Sequence, residues 1–133
     1  MREGLIFDTS VWIDFFNGTK AEEVNLLTFY LQEDLPVYTC PVIIQEVLQG
    51  IHNDLQFKKV KDSFLALHYL VENPVEAAIG AAEIYRTLRK KGITIRKSND
   101  CLIAWFALKN AIKVIHRDRD FDLIFKNIKQ TNF

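Results

Sequence analysis

The sequence predicts an α/β layered fold: a central, mostly parallel sheet of four or five short strands, flanked by helices. Two observations predict it. Short apolar runs of strand character alternate with longer segments of helical period. Nothing interrupts that alternation, neither a low-complexity tract, a Ser/Gly linker nor an internal repeat. With 133 residues, 49% hydrophobic and 26% charged, the chain suits one folded domain, expected to span 1–133.

Leu5-Ile6-Phe7 is the first strand. Val11 to Phe16 then begins a helix that Asn17-Gly18 ends in a turn. Ala21 to Glu33 reads as the second helix and Pro36 to Thr39 as the second strand. Pro41 suits the first turn of a helix, where its missing N–H costs nothing, and Val47, Leu48 and Ile51 continue an apolar face, with Gly50 weakening the end of the helix. Lys58 to Leu67 is a further helix and His68 to Val71 a third strand. Asn73-Pro74 caps a helix with the stripe Ala78, Ile79, Ala82, Tyr85 and Leu88, which Gly92 stops. Ser98 is the expected N-cap of the next helix, with apolar positions Ile103, Ala104, Ala107 and Leu108. Ile112 to Ile115 supplies a fourth strand, Asp120 or Asp122 opens a short helix through Phe125, and the last few residues are a candidate fifth strand.

Seventeen Lys plus Arg balance seventeen Asp plus Glu, so any affinity for nucleic acid must come from local clustering. The N-terminal residues show no secretory pattern, and the longest apolar run, Cys101 to Leu108, is far too short to cross a bilayer. A cytoplasmic protein is expected, with no membrane partner. The two cysteines, Cys40 and Cys101, lie outside any metal or redox spacing and read as small core residues. His52, His68 and His116 are scattered and read as structural or surface residues.

The informative feature is where the acids fall. Asp8 directly follows the first strand, and open parallel sheets bind ligands beyond the carboxyl ends of their strands. It is equally a natural N-cap. Glu46, flanked by Ile44 and Val47, faces inward or stands as an ordinary exposed Glu. Asp100 lies in the first turn of its helix, where a carboxylate also complements the dipole. Asp118 comes just after the fourth strand. Each position has a structural explanation, but the joint occurrence of acids at three strand ends or helix starts and at one inward-facing helical position is explained together by a divalent cation. Clustered carboxylates repel unless neutralised, and oxygen-only ligation suits Mg²⁺ or Mn²⁺.

Four segments then carry a family resemblance. Residues Leu5-Ile6-Phe7-Asp8-Thr9-Ser10-Val11-Trp12-Ile13-Asp14 resemble the opening motif of PIN domains, and Gln45-Glu46-Val47-Leu48-Gln49-Gly50 the second acidic motif. Ser98-Asn99-Asp100-Cys101-Leu102-Ile103-Ala104 is similar to the third, and His116-Arg117-Asp118-Arg119-Asp120-Phe121 to the closing one. The resemblance implies a three-layer PIN-like fold and metal-dependent hydrolysis of RNA, with Asp8, Glu46, Asp100 and Asp118 as metal-binding and catalytic acids. It implies Ser10 as a supporting hydrogen-bonding residue. The closing motif offers a second aspartate, Asp120, which we expect to support Asp118 and cap the helix. In its short form the chain resembles VapC-type toxins, which implies a VapB-like antitoxin and a homodimer.

Arg86 to Lys97 holds six basic residues and no acidic one, the sharpest charge bias in the chain. Arg96 and Lys97, with Arg89 and Lys91, are candidate contacts to RNA phosphates. Arg89 to Lys91 also complement a helix end. Trp12, Phe15, Phe16, Phe29 and Tyr30 are candidates for base stacking, for an interface or for the core. A dehalogenase-type phosphatase would need an acid where Ser10 stands, and a receiver domain would need an acidic pair and a lysine that are not evident. The alternatives within the resemblance are an RNA-processing nuclease that is not a toxin, and a binding module without catalysis.

Overall fold

The computed structural model describes residues 2–133. They divide into two compact units: the residues up to Leu70 with Lys113–Arg117, and Val71–Ile112 with Asp118–Phe133.

The first unit holds the sheet. Strands β1 (Leu5–Phe7), β2 (Val37–Thr39), β3 (His68–Tyr69) and β4 (Lys113–Ile115) pair in the order β3-β2-β1-β4, all parallel. Central β1 is buried at all three positions, as expected of an inner parallel strand covered on both faces, and its run Leu-Ile-Phe lacks polar alternation for that reason. Helices α1 (Thr9–Phe16), α2 (Glu22–Gln32), α3 (Pro41–Gln49) and α4 (Asp54–Leu65) complete the unit, with α1 packed on α2 and α3, and α3 on α4. Trp12 anchors this packing, with its ring centroid 4.7 Å from that of Phe64 and 6.0 Å from that of Phe16. Burying a side chain of this kind is worth about 1.5–3 kcal/mol. Asn53 caps α4, which therefore starts at Asp54, four residues before the expected Lys58.

The second unit is helical. It contains α5 (Pro74–Lys90), α6 (Ser98–Asn110) and α7 (Arg119–Asn127), with α6 packed on both α5 and α7. Contact on two sides explains why Cys101, Trp105 and Phe106 are buried along with the expected stripe of Ile103, Ala104, Ala107 and Leu108. Close approach of α5 and α6 depends on Gly80, where an added Cβ would lie 2.0 Å from Trp105 Nε1. Asn73 accepts from the N–H groups of Val75 and Glu76 to open α5, and Gly92, at φ +80°, follows its C-cap.

Three expectations are corrected. The last residues form a short 3₁₀ turn, Gln130–Asn132, and no fifth strand occurs among the described residues. Lys97 occupies the N-cap of α6 and Ser98 its first helical position. Asp118, not Asp120, caps α7, because the Asp118 carboxylate is the one placed to accept the Asp120 N–H.

Candidate active site

Each unit carries its own acidic group. In the first, the Asp8 N–H donates to the Ile115 carbonyl at 3.0 Å, which ties the residue beyond β1 to the end of β4. The side chain is only 6% exposed. Its Oδ2 accepts from the Ser10 hydroxyl at 2.6 Å and from the Ser10 N–H at 3.2 Å. Asp8 thus caps α1, and both bonds fall on one carboxylate oxygen, so capping does not consume the group. Glu46 is half-buried on α3, and its Oε1 accepts from the Thr9 hydroxyl at 2.7 Å. Consecutive residues at the start of α1 therefore hold two acids, Thr9 on Glu46 and Ser10 on Asp8.

Cys40 lies near this pair. Burial pushes its thiol up to about 12, against the opposing Ile43 and Val42 backbone N–H groups, with smaller contributions from the charges of Glu46 and Asp8. Such a thiol is a core group and not a nucleophile.

In the second unit, Asp100, Asp118 and Asp120 each place one carboxylate oxygen within 4.8 Å of the others. Asp100 comes from the first turn of α6, Asp118 is the cap of α7 and Asp120 lies in the first turn of α7. Asp100 and Asp120 are 6% and 4% exposed, so mutual repulsion of these charges is poorly screened by water. A donor set made only of carboxylate oxygens fits a hard divalent cation. Arg96 supplies positive charge from within the chain: its Nη2 lies 3.1 Å from Asp118 Oδ1 and its Nε 3.3 Å from Asp120 Oδ2. The Asp120 hydrogen bond, followed by the charges of Asp120 and Asp118, raises the pKa of the guanidinium.

The remaining candidates are dispersed over their unit. Lys97 is exposed, Arg89 lies over the Tyr85 ring at 5.7 Å, and Lys91 Nζ donates to the Asn127 carbonyl at 3.2 Å. Of the aromatic residues, Trp12 and Tyr30 are core, while Phe29 is 37% exposed. Neither the role of Thr9 nor the pairing of Arg96 with aspartates is evident in the sequence alone. The only signal for Thr9 was its place between Asp8 and Ser10, and the only signal for Arg96 was its nearness to Asp100.

Among the described residues, no helix is long and apolar enough to cross a membrane. The PIN domain family profile matches residues 5–126. Over 97% of its length the chain is 31% identical to Ribonuclease VapC11 of Mycobacterium tuberculosis, covering 98% of that protein, and equally to a VapC ribonuclease of Mycobacterium bovis. Among solved structures it is similar to VapBC2 of Rickettsia felis bound to a promoter DNA fragment (TM-score 0.72, 19% identity, 94% of this chain and 96% of that one). It is also similar to FitAcB of Neisseria gonorrhoeae (TM-score 0.64, 19% identity, 90% and 92%).

Proposed function

The chain belongs to the PIN-domain family, and from that membership we propose that it is a Mg²⁺-dependent endoribonuclease, the toxic member of a toxin–antitoxin pair. The observation that carries the chemistry is the triad of carboxylate oxygens from Asp100, Asp118 and Asp120 within 4.8 Å of one another. In this reading Asp8, Glu46, Asp100 and Asp118 are the metal-binding and catalytic acids, with Mn²⁺ an acceptable substitute. Ser10 orients Asp8, Thr9 orients Glu46, and Asp120 supports the second unit's acids. The family match spans residues of both units, which supports reading 1–133 as one domain.

When bound, the cation supplies charge neutralisation at a phosphodiester and a water activated for attack. The chain's own part is to hold the acids in place and oriented. The Ser10 and Thr9 hydroxyls do this by donating to Asp8 and Glu46. Exposed Lys97, with Arg89, Lys91 and Arg96, would meet RNA phosphates.

The antitoxin assignment is supported by the relatives: the solved chains are parts of complexes named VapBC2 and FitAcB. A small VapB-like protein is the partner we assign, together with a homodimeric state and a cytoplasmic location. Inducible expression without any antitoxin tests the reading. Growth arrest by the wild type but not by Asp100→Asn is the expected result. Equal harmlessness of the two, at equal soluble levels, would contradict the toxin assignment and leave a nuclease of RNA processing or a binding module.

A further inference from the structure

We propose that Arg96 is the built-in counter-ion of the acid cluster in the second unit: it holds Asp118 and Asp120 while no divalent cation is present and gives way when one enters. The proposal rests on the metal-binding reading above and adds to it a residue that competes with the metal.

The contacts are specific. Nη2 of Arg96 lies 3.1 Å from Asp118 Oδ1, Nε lies 3.3 Å from Asp120 Oδ2, and the Arg96 backbone N–H donates to that same Oδ2 at 3.1 Å. A planar guanidinium bridges two carboxylates in a way that a lysine ammonium, a single point charge, does not. Three aspartates with oxygens this close need neutralising charge in the metal-free protein, and Arg96 is placed to give it to two of them. The charge sits at the surface: the Arg96 side chain is 71% exposed, against 20% for Asp118 and 5% for Asp120. One end of the residue is anchored by its backbone, while the head is free to leave into water.

A cation bound by this cluster would claim the same carboxylates. The guanidinium and the metal therefore compete, and once displaced the guanidinium becomes available to a phosphate. Removing the charge should leave the backbone bond to Asp120 in place, so Arg96→Gln isolates the competition from the local fold.

Mn²⁺ binding to the full chain, measured by titration calorimetry or by loss of the free-ion paramagnetic resonance signal, tests this directly. Arg96→Gln is expected to bind Mn²⁺ roughly two- to fivefold more tightly than wild type, the span that a solvent-exposed ion pair provides. The difference should shrink in high salt. In EDTA the same variant should melt below wild type and gain more from added Mn²⁺. Arg96→Lys, which keeps the charge but loses the fork, should fall between the two and serves alone if Arg96→Gln does not fold. Unchanged or weaker Mn²⁺ binding in both variants, with normal binding by wild type, overturns the counter-ion role alone. No Mn²⁺ binding by folded wild type overturns both this role and the metal site.

Discussion

Asp118 Oδ1 accepts the backbone N–H of Asp120 at 2.9 Å, so the first aspartate of the closing motif caps α7 and the second turns inward, 4% exposed. The two carboxylates therefore respond differently to substitution. Asp118→Asn should keep the cap, because Asn serves nearly as well, and lose only charge. Asp118→Ala should cost a further ~1 kcal/mol of stability. Because Asp118 is the more accessible, its Asn variant should weaken apparent Mg²⁺ affinity more than Asp120→Asn does. Thermal melts with cleavage titrated against Mg²⁺ check both parts, and a larger metal defect in Asp120→Asn would exchange the assignments.

That reversal of caps shows where the sequence stops being legible. Strand β1 stood out because a buried parallel strand is a short apolar run, β2 and β4 as short runs rich in β-branched and aromatic residues, and the start of α5 because Asn73-Pro74 is a local signal. Asp8, Asp100 and Asp118 were visible as acids at element ends. Which aspartate turns inward depends on a difference of one or two residues at a helix start, and local preference does not resolve that. The hold of Arg96 on Asp118 and Asp120 spans 22 and 24 positions and has no local signature. Thr9 on Glu46, 37 positions apart, is hidden for the same reason. The expected terminal strand failed because Ile128 is its one buried apolar residue, and the rest is exposed.

Gly80 provides a test of packing that is independent of chemistry. Ala is favoured over Gly in a helix interior by about 1 kcal/mol. At this position the added methyl would meet the Trp105 indole at 2.0 Å, and overpacking of that kind costs about 1–3 kcal/mol. Gly80→Ala should therefore lower the denaturation midpoint. A rise would mean that α5 and α6 separate freely.

Cys40 gives a pH dependence with a definite sign. Its thiol is held at about 12 by burial, against 9.0 when free, so the unfolded chain releases this proton first. The contribution to stability is complete below pH 9 and is lost as pH rises toward 12. Cys40→Ser should show a shallower fall of melting temperature over that range than wild type. Parallel curves would place the thiol in contact with water. In the native protein at pH 8, Cys40 should also resist thiol reagents, becoming reactive only on denaturation.

Divalent-cation-dependent cleavage of RNA is the activity proposed for Asp8, Glu46, Asp100 and Asp118. Its most direct test is cleavage of single-stranded RNA by the purified chain, in EDTA and after Mg²⁺ is restored, for wild type and for Asp100→Asn, with thermal melts on the same samples. The expected result is cleavage by wild type only when Mg²⁺ is present, and none by a folded Asp100→Asn. Cleavage that persists in EDTA, or at wild-type rate in the folded variant, would contradict it.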